Sequence, residues 1–294
     1  MQRVRIGSRD SKLAVIQAQK VMEAIKQYDS SIHTELLLMK TTGDKILDKT
    51  LDKIGGKGLF VKELEEALIN GTVDITVHSY KDMPMVINKN LPVVALSDRE
   101  DERDVLIYPN GSKDETKPIG CSSKRRTVQL QKLGFSNIEP LRGNVLTRLR
   151  KLDAGEYSAI VLAAAGIKRL GLENRISRYF TTDEIMPAAC QGIIAVQARK
   201  GEKTDYLKLF HCEKSKILSD AERAFVAELD GGCSSPVAAH ADIVQEQLVL
   251  SGLFVDEERK IMLRGIQYGD ILHAEKIGTE LASKLKKEAF QNYE

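Results

Sequence analysis

The pattern of apolar and polar residues changes near the last third of the chain. Over residues 4–197, short apolar runs alternate with amphipathic segments, which predicts a parallel α/β sheet with helical crossovers. The predicted strands are Val4–Ile6, Thr34–Met39, Asp74–His78, Leu91–Leu96, Ala159–Ala163 and Gly192–Gln197. The predicted helices are Leu13–Tyr28, Lys62–Asn70, Thr127–Leu133 and a short stretch over Glu173–Ser177.

A dense polar run over Asp98–Asp104 interrupts this pattern and predicts a crossing between two domains. Beyond it, Ile119 and Gly120 lead into a polar loop and a helix, as Ile6 and Gly7 do near the N-terminus. We interpret this short similarity as a sign that the two units have similar structures.

The remainder of the chain predicts a small α+β domain. Ser219 and Glu222 have the spacing of a capping box for a helix over Ala221–Leu229. The following elements are strands over Ala238–Val244, Leu248–Val255 and Lys260–Tyr268 and a helix over Ala274–Phe290.

Composition narrows the class of protein. A length of 294 residues suits two or three domains, and 42% hydrophobic with 29% charged residues indicates a globular protein. The net charge of +2 argues against nucleic acid as a partner. The longest apolar stretch, Ala159–Ile167, is too short to cross a bilayer. The N-terminus has no signal-peptide apolar core, so we expect a cytoplasmic protein.

The four cysteines lie at least 21 residues apart, at Cys121, Cys190, Cys212 and Cys233. This spacing predicts no zinc site, redox pair or disulfide framework. Cys233 stands out because its loop, LDGGCSSPVAAH, is glycine-rich and polar, whereas structural cysteines usually pack in apolar surroundings. A tolerated loop thiol is the alternative interpretation.

Four polar motifs stand at predicted junctions of strands, loops and helices. They are DITVHSYKDMP (74–84), GCSSKRR (120–126), LRGNVLTRLRKL (141–152) and KIGGKGLFVKEL (53–64). Strand ends carry the ligand sites of α/β sheets, helix starts bind anions, and arginines pair with carboxylates. Each motif also has a simpler interpretation. In the first motif, Lys81 and Asp82 would form an exposed pair and His78 would be a packed core residue. The second would be an ordinary helix cap, the third a solvated basic helix face and the fourth a turn. Together they predict a cleft for a small molecule with several carboxylates or phosphates.

The chain resembles the hydroxymethylbilane synthase family, also called porphobilinogen deaminase. The matching segments follow the family's order along nearly the whole chain. They are RIGSRDSKLA, GGKGLFVKELEEAL, DITVHSYKDMP, GCSSKRR, LRGNVLTRLRKLDAGEYSAIVLA, GIKRLGL, PAACQG and ERAFVAELDGGCSSP.

The resemblance implies an α/β fold with two lobes like those of periplasmic binding proteins. Their sheets are expected to be mixed and mostly parallel, followed by a small C-terminal α+β domain. The implied bounds are 1–97 with 193–214 for lobe 1, 98–192 for lobe 2 and 215–294 for the C-terminal domain.

The resemblance also implies a transferase of tetrapyrrole and heme biosynthesis that acts as a monomer. It joins four porphobilinogen molecules head to tail on a dipyrromethane primer, losing ammonia each time, and water then releases hydroxymethylbilane. The primer is held by a thioether to Cys233. No metal and no nucleic acid or membrane partner is expected.

Site residues carry over from the family's motifs. Asp82 matches the catalytic aspartate, which stabilises the cation left when ammonia departs. The residues expected to bind substrate and cofactor are Arg9, Ser11, Ser79, Lys81, Cys121, Ser122, Ser123, Arg125, Arg126, Arg142, Arg148, Arg169 and Gln191. Lys53, Lys57 and Phe60 fall on the family's mobile loop.

A few residues depart from common family patterns. Lys12 replaces a frequent proline, Thr42 an arginine, Cys121 a serine or threonine, and Ser235 a β-branched residue. None of these changes removes a catalytic group. Two other hypotheses are a non-catalytic two-lobed polycarboxylate-binding protein and a cysteine hydrolase with His240 as the base for Cys233.

Overall fold

The computed structural model describes residues 2–45, 60–112, 114–231 and 235–291, and within these ranges the strands form three sheets. The strands are β1 (Arg3–Arg9), β2 (His33–Met39), β3 (Ile75–Ser79), β4 (Val93–Leu96), β5 (Asp104–Ile107), β6 (Ile119–Gly120), β7 (Ile138–Glu139), β8 (Ala159–Ala163), β9 (Arg178–Tyr179), β10 (Ile194–Ala198), β11 (Ala238–Val244), β12 (Gln247–Asp256) and β13 (Ile261–Asp270). The helices are α1 (Lys12–Tyr28), α2 (Thr42–Lys45), α3 (Lys62–Ile69), α4 (Lys124–Lys132), α5 (Val145–Asp153), α6 (Ala164–Arg169), α7 (Glu213–Glu228) and α8 (Ala274–Gln291).

Two of the sheets have five strands and the same arrangement. The first has the order β2-β1-β3-β10-β4, and only β10 runs against the others. The second has the order β7-β6-β8-β5-β9, and only β5 runs against the others. The central strands are buried along most of their length, which explains their nearly continuous apolar sequences. The expectation of mixed, mostly parallel sheets is confirmed.

The antiparallel strand of each sheet is the first strand after the chain arrives from the other sheet. Residues 97–103 lead from β4 into β5, and residues 180–193 lead from β9 into β10. These two crossing segments touch at Gly192, whose backbone has φ +92°. A Cβ atom there would lie 2.1 Å from the carbonyl oxygen of Glu100, so the close approach requires glycine.

The third sheet, β11-β12-β13, is antiparallel and packs one face against α7 and α8. Phe225 and Leu281 fill this core, which continues into Tyr80 and Met83 beside the first sheet. The core therefore fixes the C-terminal unit against the turn that follows β3.

The predicted capping box at Ser219 and Glu222 is wrong. Helix α7 begins at Glu213, and the backbone N–H of Ser215 donates to the Cys212 sulfur. Ser219 and Glu222 lie inside the helix and are fully buried. The spacing of a capping box is a local pattern, whereas Glu222 is held by partners from distant parts of the chain.

Candidate active site

A cleft of about 510 Å³ opens between the two mixed sheets and takes lining residues from both. The first sheet contributes Arg9 and Ser79 at the ends of β1 and β3. The second contributes Leu162 and Ala163 at the end of β8. The cleft thus lies at the carboxyl ends of strands, where open α/β sheets bind ligands.

Asp82 lies on the cleft wall in a single 3₁₀ turn, Tyr80–Asp82, directly after β3. The turn is rigid because Tyr80 is buried beneath the guanidinium of Arg223, 4.5 Å from the ring centre. The Tyr80 N–H also donates to the Ile193 carbonyl over 3.0 Å. No hydrogen bond to the Asp82 carboxylate is found in the part of the chain that the structure describes, so its oxygens are available to a ligand.

Positive charge dominates the rest of the wall. Among the described residues, seven basic side chains and two carboxylates line the cleft. The basic residues are Arg9, Lys40, Lys81, Arg126, Arg142, Arg148 and Arg169. Burial lowers the pKa of Arg148 and of Arg169 to about 10, and both remain cations at neutral pH. Carbonyls hold these two in place: Gly143 accepts from Arg148 Nε over 2.8 Å, and Gly192 from Arg169 Nη2 over 2.5 Å.

Lys81 is anchored through Gln191 to the first crossing segment. Its Nζ donates to Gln191 Oε1 over 3.2 Å. Gln191 Nε2 in turn donates to the Glu102 carbonyl over 2.6 Å and to Asp104 Oδ1 over 2.9 Å. Burial lowers the pKa of Lys81 to about 8, so this cation titrates much closer to neutrality than an ordinary lysine.

A buried acid that the sequence analysis missed organises the arginines of the second sheet. Asp104 is fully buried and accepts from Arg125 Nη1 over 2.8 Å and from Arg126 Nη2 over 2.7 Å. Burial would raise the pKa of Asp104, but the two guanidinium groups outweigh it and hold the pKa below its usual range. Arg126 lines the cleft, whereas Arg125 lies behind the wall and also donates to the Met186 carbonyl.

The predicted serines divide between the wall and its support. Ser11 lines the cleft and caps α1, accepting from the Ala14 N–H over 3.4 Å. Ser79 also lines it and accepts a hydrogen bond from the Gln17 amide over 2.9 Å. Ser122 does not line the cleft, and its hydroxyl donates to and accepts from the backbone of Leu141.

Of three further predicted residues, Phe60 lines the cleft and Ser123 and Cys121 do not. Ser123 is the N-cap residue of α4 and is not a lining residue, and Cys121 is buried with its sulfur 3.8 Å from the Ser123 carbonyl. Phe60 lines the cleft and lies beneath the Arg9 guanidinium, 4.3 Å from the ring centre. Lys53, Lys57 and Cys233 lie outside the described residues.

His78 and His240 are both engaged within the fold. His78 is a packed core residue, as expected: it is buried, its Nε2 is 2.9 Å from the Thr76 hydroxyl, and burial lowers its pKa to about 4. His240 contacts Glu102, with Nε2 3.2 Å from Oε1. Lys40, Asn144 and Thr147 line the cleft without having been predicted. They follow β2 or begin α5, and this position after a strand or before a helix was the only sequence feature that pointed to them.

The fold and cleft define a two-lobed α/β protein with a mostly cationic cleft between its two mixed sheets. A family model described as porphobilinogen deaminase, dipyromethane cofactor binding domain, matches residues 4–206, and one described as porphobilinogen deaminase, C-terminal domain, matches residues 216–287. The chain belongs to the porphobilinogen deaminase family.

Similar proteins named porphobilinogen deaminase cover nearly the whole chain. The one from Ruminiclostridium cellulolyticum is 60% identical over 289 residues, covering 97% of this chain and 98% of that protein. The one from Acetivibrio thermocellus is 59% identical over 290 residues, covering 98% and 99%. A solved structure of the methionine-binding protein MetQ matches with 13% identity and a TM-score of 0.44, covering 71% of this chain and 88% of that one.

Family membership confirms the expected activity. The chain is a transferase of porphyrin and heme biosynthesis that polymerises porphobilinogen with loss of ammonia and uses a dipyrromethane cofactor. In the part of the chain that the structure describes, no helix has the length and apolar character needed to span a membrane.

Proposed function

We propose that the cleft is the polymerisation site and that Asp82 is its catalytic residue. The observation that carries this proposal is the position of one half-buried carboxylate among seven basic side chains of the described wall. The other lining carboxylate, Asp10, is exposed. Water exclusion strengthens the field of a buried charge, which favours Asp82 as the group that acts on the reacting atoms.

Asp82 acts in two ways at the pyrrole. Its carboxylate accepts from the pyrrole N–H of the substrate and stabilises the positive charge that develops as ammonia leaves. In each cycle the Asp82 carboxyl gives its proton to the departing amine, which leaves as ammonia, and the resulting carboxylate takes back the proton lost by the coupled ring carbon. The rigid turn after β3 keeps the carboxylate in place during both transfers.

The basic side chains bind the acetate and propionate groups of the pyrroles. Arg126, Arg142 and Arg148 project from the second sheet's side of the cleft, and Arg9 and Lys81 from the first. Ser11, Ser79, Gln191 and Arg169 complete this set. Four other predicted residues lie behind this set. Arg125 pairs with Asp104, and Ser122 donates to the Leu141 carbonyl. Cys121 is buried beside Ser123, the N-cap residue of α4.

The same residues fit the dipyrromethane cofactor, whose carboxylates need several cations. Arg126 lines the cleft, and its buried Nε has no hydrogen-bond partner among the described residues, as expected of a donor that meets an anionic group. When bound, the cofactor supplies the pyrrole carbon to which the first substrate is joined. We assign its attachment to Cys233, the cysteine at the family's position.

The remaining parts of the proposal concern the whole chain. We propose three domains with the bounds 1–97 with 193–214, 98–192 and 215–294. The arrangement of the three sheets and the two crossing segments supports these bounds. We further propose a cytoplasmic monomer that takes porphobilinogen as its small-molecule partner and has no nucleic-acid or membrane partner.

Intact mass under denaturing conditions, followed by peptide mapping, tests the attachment site. We expect the added mass of two linked pyrroles on the peptide that contains Cys233. The Cys233→Ser variant should fold and should stay at its bare mass after incubation with porphobilinogen. Cofactor found on Cys121, Cys190 or Cys212 would contradict the assignment.

Binding of porphobilinogen should weaken as the pH rises through about 8. Lys81 has its pKa near 8, so its positive charge is present below this pH and is lost above it. Calorimetric titration of the Cys233→Ser variant, which has no cofactor, should therefore show proton uptake on binding near pH 8. The same titration with Lys81→Met added should lack this uptake, and uptake that persists would assign it to another group.

A further inference from the structure

The first crossing segment, which leads from the first sheet into the second, also contacts helix α6 and the C-terminal unit. Arg99 pairs with Glu222 of α7 over 2.8 Å. Glu100 pairs with Lys168 of α6 over 2.8 Å. Glu102 pairs with His240 of β11. Arg99 and Glu102 thus contact the C-terminal unit, and Glu100 contacts a helix beside the second sheet.

The contact between Glu102 and His240 is a second tie to the C-terminal unit. His240 Nε2 lies 3.2 Å from Glu102 Oε1, with side-chain exposures of 18% and 27%. The hydrogen bond from His240 lowers the pKa of Glu102 to about 2, so Glu102 is an anion at any working pH. The next residue of β11, Ala241, donates its N–H to Glu222 Oε1 over 2.8 Å. His240 therefore contacts the crossing segment directly. Ala241 contacts Glu222, which pairs with Arg99 of the same segment.

Glu102 also reaches the cleft through its backbone. Its carbonyl oxygen accepts from Gln191 Nε2 over 2.6 Å, and Gln191 Oε1 accepts from Lys81 Nζ over 3.2 Å. The side chain of Glu102 therefore contacts the C-terminal unit while its carbonyl fixes the partner of a cleft cation. A displacement of the Glu102 backbone would shift Gln191 and, with it, the position of the Lys81 ammonium.

We propose that Glu102 and His240 are positioning residues for substrate binding. By fixing the Glu102 carbonyl they hold Gln191 and, through it, the Lys81 ammonium in the cleft. This inference rests on the proposed role of Lys81 in binding carboxylates. It assigns no contact with substrate to either residue, and it makes the C-terminal unit a support for the wall of the cleft.

The alternative is that this is a partly buried contact with no effect beyond a small local stabilisation. The two accounts differ in their kinetic consequences. A misplaced Lys81 weakens binding of the ground state and of the transition state alike, which raises KM and leaves kcat unchanged. A pair that acts only on stability alters neither constant below the melting temperature.

The test uses holoenzyme whose cofactor content has been established by intact mass. His240→Ala and Glu102→Met are each expected to raise KM for porphobilinogen by about fivefold, the effect of losing one ordinary hydrogen bond. Their kcat should stay within about twofold of the starting enzyme. His240→Gln should restore most of the KM, because its amide can donate to Glu102. Asp242→Asn is the matched control, since Asp242 is also on β11 but pairs with Lys214 of α7.

A double-variant comparison separates this inference from the proposed function. Lys81→Met alone should raise KM, and His240→Ala added to it should raise KM no further, because both changes remove the same contact. If Lys81→Met leaves KM unchanged, the proposed role of Lys81 is wrong, and with it the route assigned to His240. If Lys81→Met raises KM but His240→Ala does not, or if the two effects multiply, the positioning inference alone is overturned. Melting temperatures recorded alongside identify any variant that is merely unfolded. Glu102→Met, which keeps nearly the length of the side chain but cannot accept the hydrogen bond, then decides.

Discussion

Replacing Asp82 with asparagine is expected to lower turnover of porphobilinogen by about 10²–10⁴-fold, the range for losing a group that transfers protons. Asparagine keeps the size of the side chain but cannot accept a proton or carry negative charge. The loss should appear in kcat, because the basic residues that bind the substrate's carboxylates remain. The measurement is steady-state release of tetrapyrrole per molecule that carries the cofactor, as counted by intact mass.

The matched control for this variant is Asp10→Asn. Asp10 is the other carboxylate among the described lining residues, but it is exposed and follows β1 instead of the rigid turn after β3. Its replacement should change kcat by no more than about threefold, because a solvated charge contributes little to a transition state. Undiminished turnover in Asp82→Asn, or an equal loss in Asp10→Asn, would contradict the role assigned to Asp82.

The sequence was informative about the cleft because its main residues follow strands. Ser79, Lys81 and Asp82 come directly after an apolar run, and a run of this kind predicts where a strand ends. The edge of the sheet then brings such segments together even though they are far apart along the chain. The family resemblance assigned these residues to one site, and their positions after strands explain why the fold brings Arg9, Ser79 and Asp82 together.

The supporting network was not predictable in the same way. Asp104 belongs to the run DREDERD, which reads as solvated surface, and its partners Arg125 and Arg126 lie 21 and 22 residues away. Glu222 matched a local capping pattern, yet its partner Arg99 is 123 residues away. Burial of a charge depends on packing between elements, and no local pattern reports it. Arg125 was expected to bind the ligand. It lies behind the cleft wall instead, buried and paired with Asp104.

Asp104→Asn is expected to destabilise the protein by about 3–5 kcal/mol, the usual effect of removing one member of a buried ion network. Asp104 is fully buried, and it is the carboxylate that both Arg125 and Arg126 contact. An amide cannot neutralise either guanidinium, so two buried cations would face each other. Asparagine also has one oxygen where Asp104 has two, so an amide NH2 would face either Arg125 or the donors Arg126 and Gln191. Thermal unfolding should therefore begin in the second sheet, at a temperature lower by roughly 6–20 °C.

Two comparisons identify charge burial as the cause. Asp153→Asn removes the ion pair with Arg175, in which Asp153 is 32% exposed, and should cost no more than about 1 kcal/mol. Adding Arg125→Met to Asp104→Asn should recover part of the lost stability, because it removes one of the two unpaired cations and leaves an apolar side chain in its place. An Asp104→Asn protein as stable as Asp153→Asn would show that the arginines find other partners. A double variant less stable than Asp104→Asn would show that packing of Arg125, and not its charge, dominates at this position.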